Sequence, residues 1–136
     1  MTIAVDFDGT IVDHRYPKIG KEKPFAIDTL RKLASEGNKI ILWTAREGEL
    51  LDDAIRFCKE RGLVFYAINS DTPTAGLTFS SKASTTKLVA DVYIDDRNLG
   101  GIPDWGAIYE IIHGTKIRDH HRRTKHRSFL RKLFGK

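Results

Sequence analysis

The chain has 136 residues and a mass of 15.4 kDa, the size of one domain that buries roughly two thirds of its unfolded surface. With 40% hydrophobic and 30% charged residues and a mean hydropathy of −0.36, it is not collagen-like, mucin-like or wholly disordered, and no apolar run approaches the ~18 residues that span a bilayer. The net charge of +5 is uneven: residues 115–136 carry nine Lys/Arg against one acid, Asp119, a net of +8, whereas residues 1–114 carry a net of −3, so the pI of 9.4 belongs to the terminal segment and not to the body.

Thr2 to Phe7 is apolar and β-branched, too continuous for a strand wetted on one side, and predicts a buried strand of a parallel sheet that Gly9 interrupts. Pro24 to Glu36 carries Phe25, Ile27, Leu30, Leu33 and Ala34 at helical spacing and stops at Gly37. Lys39 to Trp43 predicts a second buried strand. Glu47 to Arg61 repeats the helical pattern through Leu50, Leu51, Ala54, Ile55 and Cys58, ending at Gly62. Leu63 to Ile68 predicts a third strand, Asn69 to Ser84 a turn-rich loop, and Asp91 to Ile94 another strand. Pro103 to His113 predicts a helix, with Pro in its first turn and Gly114 past its end. The alternation predicts an α/β fold with a mainly parallel central sheet, as a domain over 1–114, followed by a basic, amphipathic and helical tail over 115–136. Met1-Thr2-Ile3-Ala4-Val5-Asp6 carries no secretory signal, and the single Cys58 excludes an intramolecular disulfide, so a cytoplasmic location is expected.

Ligands of open parallel sheets bind beyond the C-terminal strand ends. Strand one ends in Asp6-Phe7-Asp8-Gly9-Thr10, strand two in Trp43-Thr44-Ala45-Arg46 and the last strand in Ile94-Asp95-Asp96-Arg97, with Lys87 shortly before it. Carboxylates gathered this closely repel, and a hard cation such as Mg²⁺ relieves them while leaving coordination places for a phosphate. A lysine and a threonine then supply donors to the other phosphate oxygens. One carboxylate positioned to attack phosphorus, with a second two residues on to move a proton, completes a phosphoryl-transfer site.

Taken in order, Asp6-Phe7-Asp8-Gly9-Thr10, Thr44, Lys87 and Asp95-Asp96 resemble the four motifs of the haloacid dehalogenase (HAD) superfamily of phosphohydrolases, over residues 1–113. The resemblance implies a Rossmann-like three-layer sandwich and a Mg²⁺-dependent phosphatase acting on a phosphate monoester. It implies that Asp6 is the nucleophile and Asp8 the acid and then the base, Asp8 also ligating Mg²⁺ through its backbone carbonyl. Thr44 would hydrogen-bond the phosphoryl oxygens and Lys87 would pair with nucleophile and phosphate. Asp95 would ligate Mg²⁺ together with Asp6, and Asp96 would support it directly or through water. Lys82, thirteen residues before Asp95, competes with Lys87, eight before it; Lys87 is preferred because Lys87-Leu88-Val89-Ala90-Asp91 runs directly into the strand.

Many relatives insert a cap domain after the first motif or the third strand. Here the gaps, Ile11 to Lys23 and Asn69 to Thr86, hold 13 and 18 residues, room for a flap and not a domain, so a capless member with an open site is expected. Either the substrate is large, such as a nucleic acid end, phosphoprotein or glycan, or a neighbouring subunit closes the site over a small metabolite. His14, Arg15, Tyr16 and Lys18 on the flap, with Arg46 and Arg97 beside the motifs, are the candidate substrate contacts.

Simpler readings stand beside these. Asp-x-Asp and Asp-Asp each favour a turn, Arg46 can start the next helix or pair with Glu47 or Glu49, and His14 can be an exposed loop residue. Cys58, Trp43 and Trp105 read as core or interface packing. In the tail, Phe129, Leu130, Leu133 and Phe134 form an apolar edge that first predicts docking on the body or a second subunit, then phosphate contacts with nucleic acid, then a membrane surface. The alternative functions are a nucleic-acid-binding or regulatory module on a phosphatase-like body and a phospho-accepting receiver domain. The receiver order of acidic pair, acceptor Asp, Thr and Lys is not the order found here.

Overall fold

The computed structural model describes residues 1–73 and 87–115. Lys82 and the basic tail from residue 116 lie outside them. The chain groups into two compact units, Met1–Pro103 and Asp104–Lys136. Gly100 and Gly101, both at positive φ, and Pro103 interrupt regular structure just before the second unit.

The first unit runs β1 (Thr2–Val5), α1 (Ala26–Ser35), β2 (Lys39–Leu42), α2 (Gly48–Glu60), β3 (Ala67–Ile68) and β4 (Val92–Ile94). The four strands form one sheet in the order β3-β2-β1-β4, and every pairing is parallel. This is the α/β parallel sheet that the continuous apolar runs predict. Both central strands are buried on both faces: Ile3, Ala4 and Val5 are inaccessible, as are Ile41 and Leu42. Ala4 pairs with Ile41, and these pack with Ala67 and Leu88 against the larger rings of Trp43, Tyr66 and Tyr93. Ala4 and Ala67 are small and leave room for those rings.

The helices bury the stripes that their spacing predicts. Of the predicted residues, Ile27, Leu30 and Leu33 on α1 and Leu51, Ala54 and Cys58 on α2 are buried, with Ala26 beside them, while Ala34, Leu50 and Ile55 are half-buried. Phe25 is the exception. It precedes α1 in the left-handed region, at φ 65°, and is exposed, so its carbonyl starts the helix by accepting from Thr29 N–H at 2.9 Å while its ring stays out of the core. The third strand is much shorter than Leu63 to Ile68, because Val64 faces solvent and the ladder begins only where Tyr66 N–H reaches the Ile40 carbonyl. In the second unit, residues 105–115 are helical. Asp104 caps this helix through a 3.0 Å bond from Ala107 N–H, and Trp105, Ile108 and Ile112 are buried along one edge. Among the described residues, no helix is long and apolar enough to cross a membrane.

Candidate active site

β1 ends at Val5, yet the chain stays tied to the sheet for one more residue, as Asp6 N–H donates to the Ile94 carbonyl at 3.0 Å. It then winds tightly. The N–H groups of Thr10, Ile11 and Val12 all point at the Phe7 carbonyl, at 3.0–3.2 Å. Phe7 turns its ring inward, edge-on to Phe57, so Asp6 and Asp8 stand on either side of a buried anchor. Gly9 sits at φ +86°, and a Cβ there would lie 2.4 Å from Asp96 Oδ2. The loop after β1 can approach Asp96 this closely only because residue 9 has no side chain.

That approach creates an acidic cluster. Carboxylate oxygens of Asp6, Asp95 and Asp96 lie within 4.8 Å of one another. Burial pushes the Asp6 carboxyl up to about 7, and the neighbouring charges of Asp95 and Asp96 push the same way, against a hydrogen bond from the Phe7 backbone. Three oxygen ligands in mutual repulsion are a donor set that a hard divalent cation fits. Thr10, fully buried, holds the cluster together: its hydroxyl lies 3.3 Å from Asp6 Oδ2 and 3.0 Å from Asp96 Oδ1, and it accepts from Asp96 N–H at 3.0 Å.

The Asp8 side chain stands apart from this cluster. Both its oxygens accept from Arg46, at 2.7 Å from Nε and 2.7 Å from Nη2. The Asp8 carboxylate is not among the clustered oxygens, which leaves its backbone carbonyl as the group it could offer a cation there. Arg46 is not the substrate clamp that its position beside Thr44 predicts, nor does it pair with Glu47 or Glu49. It is 1% exposed, and its remaining N–H groups go to the carbonyls of Pro17, Lys18 and Leu50.

Thr44 lies at the end of β2, its N–H donating to Asn69 Oδ1 at 2.8 Å and its hydroxyl oxygen accepting from Arg46 N–H at 3.1 Å. The Thr44 hydroxyl hydrogen has no partner among the described residues and is the donor a phosphoryl oxygen would need.

Asp6, Asp8, His14, Tyr16, Trp43, Thr44, Ala45, Arg46, Asp95 and Arg97 line one cavity of about 580 Å³. Arg97, exposed, makes no ion pair among the described residues, and its N–H caps Asp95 Oδ1 at 2.9 Å. Arg15 does not line the cavity and donates to the His14 carbonyl at 3.3 Å. Lys87 is exposed, does not line the cavity and pairs with none of the three carboxylates. The flap is a narrow two-stranded loop, with Asp13 N–H on the Lys21 carbonyl at 2.7 Å and Lys23 N–H on the Ile11 carbonyl at 2.8 Å. Gly20 permits it, since a Cβ there would fall 2.0 Å from the Asp13 carbonyl oxygen.

Sequence reasoning gave Thr10 no role of its own, read Trp43 only as packing and passed over Asn69. Trp43 does pack, tilted against Tyr93 at 5.3 Å, but it also lines the cavity. Thr10 was legible as part of the Asp-Gly-Thr turn. For Asn69 the only signal is an Asn directly after a strand, where a positive φ, here 50°, is tolerated. Cys58 is buried, and burial pushes its thiol up to about 12, so it is inert packing.

Among solved structures, the chain is similar to a conserved protein from Bacteroides thetaiotaomicron, with 59% identity over 85% of this chain and 91% of that one and a TM-score of 0.74. No protein-family model and no curated protein matches the chain.

Proposed function

We propose that this chain, which belongs to the same family as the conserved Bacteroides thetaiotaomicron protein, hydrolyses a phosphate monoester through a phosphoryl group carried on Asp6. The observation that carries the reading is the cluster of Asp6, Asp95 and Asp96 at the C-terminal ends of β1 and β4, of which Asp6 and Asp95 line one cavity with Asp8 and Thr44. The HAD-like motif order supports the same reading, and so does the absence of any Gly-rich phosphate loop of the GxxxxGK[ST] type in the sequence.

Asp6, Asp95 and the Asp8 backbone carbonyl would hold Mg²⁺, with Asp96 and Thr10 fixing the carboxylates in place. Bound there, the cation would neutralise charge on the phosphoryl oxygens and keep Asp6 ionised. The protein's own groups do the rest. Asp6 Oδ attacks phosphorus, the bond from phosphorus to the leaving oxygen breaks, and Asp8 gives that oxygen a proton. Asp8, now without the proton, takes one from water, whose oxygen attacks the same phosphorus and frees inorganic phosphate and Asp6. Thr44 donates to a phosphoryl oxygen, and the ammonium is that of Lys87, which would have to turn in from outside the cavity, or of Lys82 in its place. Arg97 and His14 on the rim would contact the leaving group. The 580 Å³ cavity accommodates a small phosphorylated metabolite as well as a nucleic acid end.

Mass spectrometry of protein quenched during turnover tests the reading. A phosphoryl adduct on the peptide that contains Asp6, absent from Asp6→Asn, is expected. Turnover with no adduct, or an adduct elsewhere, contradicts it.

A further inference from the structure

Arg46 is the one charged side chain among the described residues that is fully buried. Its five N–H groups are all engaged: two on Asp8, and one each on the carbonyls of Pro17 (3.2 Å), Lys18 (3.0 Å) and Leu50 (3.3 Å). The guanidinium carbon also lies 5.2 Å from the centroid of the Phe7 ring and 5.2 Å from that of Tyr16. No donor is left to meet a phosphate. Each bond lost is costly to a buried guanidinium, and a planar fork is what lets it grip a carboxylate with two of them. Two of its carbonyl partners belong to the flap, a third to the first turn of α2. The carboxylate two residues after Asp6 and the flap over the cavity therefore share one anchor.

We propose that Arg46 is a positioning residue that acts through Asp8, setting its carboxylate for proton transfer and tying that setting to the Pro17–Lys18 segment of the flap. The kinetic half of this proposal rests on the phosphohydrolase reading above. Both Asp8 oxygens accept from Arg46, so delivering a proton to the leaving oxygen requires one of these bonds to yield. Once the proton has gone, the carboxylate returns to the fork. A leaving group that departs readily as an anion needs no such proton, and a poor one does.

The test compares kcat/KM, which reports the steps through phosphoryl transfer to Asp6, on p-nitrophenyl phosphate and on an alkyl phosphate. Arg46→Lys, which keeps the charge and loses the fork, and Arg46→Ala should lose on the order of 10²-fold on the alkyl ester and far less on the aryl one. Asp8→Asn should show the same bias, and Arg46→Ala combined with Asp8→Asn should be no worse on the alkyl ester than Asp8→Asn alone. Equal losses on both esters, or multiplying losses in the double variant, would overturn the positioning role. Hydrogen exchange on the substrate-free protein provides a readout independent of turnover. Arg46→Lys and Asp8→Asn should both speed exchange at the flap amides of Asp13 and Lys23 by about fivefold, what losing one hydrogen bond gives, and leave Ile3 to Val5 unchanged. Unchanged flap exchange in Asp8→Asn would overturn the shared anchor. Wild-type protein inert on every phosphate ester would overturn the phosphohydrolase reading and the kinetic half with it, while exchange alone would still decide the anchor.

Discussion

Arg46 reaches across 38 residues of chain to grip Asp8 with two N–H donors, each at 2.7 Å from a different carboxylate oxygen. The pair is nearly dry, with side-chain exposures of 1% for Arg46 and 12% for Asp8. Removing one member of such a pair strands the other's charge, which costs about 3–5 kcal/mol. Arg46→Ala is therefore expected to destabilise the fold by about that amount in denaturant unfolding. A loss near 0.5 kcal/mol, the size of a surface pair, would show that the fork contributes little in solution.

Asp6 predicts a pH-dependent stability. Its carboxyl is raised from 3.8 to about 7 in the folded protein. A carboxyl raised in this way contributes stability that is complete below its unfolded value and is lost as pH climbs through its folded value. In EDTA the wild-type melting temperature should therefore fall between pH 4 and pH 7, to an extent that Asp6→Asn removes. Asp6→Asn should melt higher than wild type at pH 8 in EDTA and gain less from added Mg²⁺. Wild type and variant with parallel pH profiles would contradict the burden placed on Asp6.

Gly9→Ala combines a positive φ with a Cβ 2.4 Å from Asp96 Oδ2. The backbone conformation alone costs about 1–2 kcal/mol, and the contact forces the loop after β1 away from β4. The expected outcome is a stability loss above 2 kcal/mol together with weakened Mg²⁺-dependent thermal stabilisation. Mg²⁺ stabilisation equal to wild type would mean that the close approach of loop and Asp96 is not needed for the cation.

Thr10→Val keeps shape and removes the hydroxyl that bridges Asp6 and Asp96. Leaving the Asp96 N–H without its acceptor costs about 1–3 kcal/mol. Chemical denaturation should return that value. A neutral substitution would indicate that water replaces the hydroxyl.

The third-motif lysine is separable by substitution. Lys87→Ala is expected to cripple phosphate release and Lys82→Ala to spare it. The reverse result would assign the role to Lys82.

The sheet was legible because β1 and β2 are continuous apolar runs, a pattern that a fully covered parallel strand requires. The strand ends were legible too, since polar residues that interrupt such runs must leave the sheet together on one side. Pairwise partners within the site were not. Arg46 has acidic neighbours at Glu47 and Glu49, and nothing local distinguishes them from an Asp8 that only the fold brings near. Phe25 satisfies helical spacing, but the positive φ that places it outside α1 is a tertiary outcome. The Asn69 link to Thr44 depends on β3 lying beside β2, which spacing does not encode.

The central claim is turnover by Asp6. Phosphate release should be measured over a broad panel of phosphoesters, including 3′-phosphorylated oligonucleotides and small sugar phosphates, with Mg²⁺, with EDTA and with Asp6→Asn. Release that needs both Mg²⁺ and Asp6 is the predicted result, with the best ester defining the substrate class. Release that survives EDTA or persists in Asp6→Asn, or no release from any ester by folded, Mg²⁺-loaded protein, would contradict it.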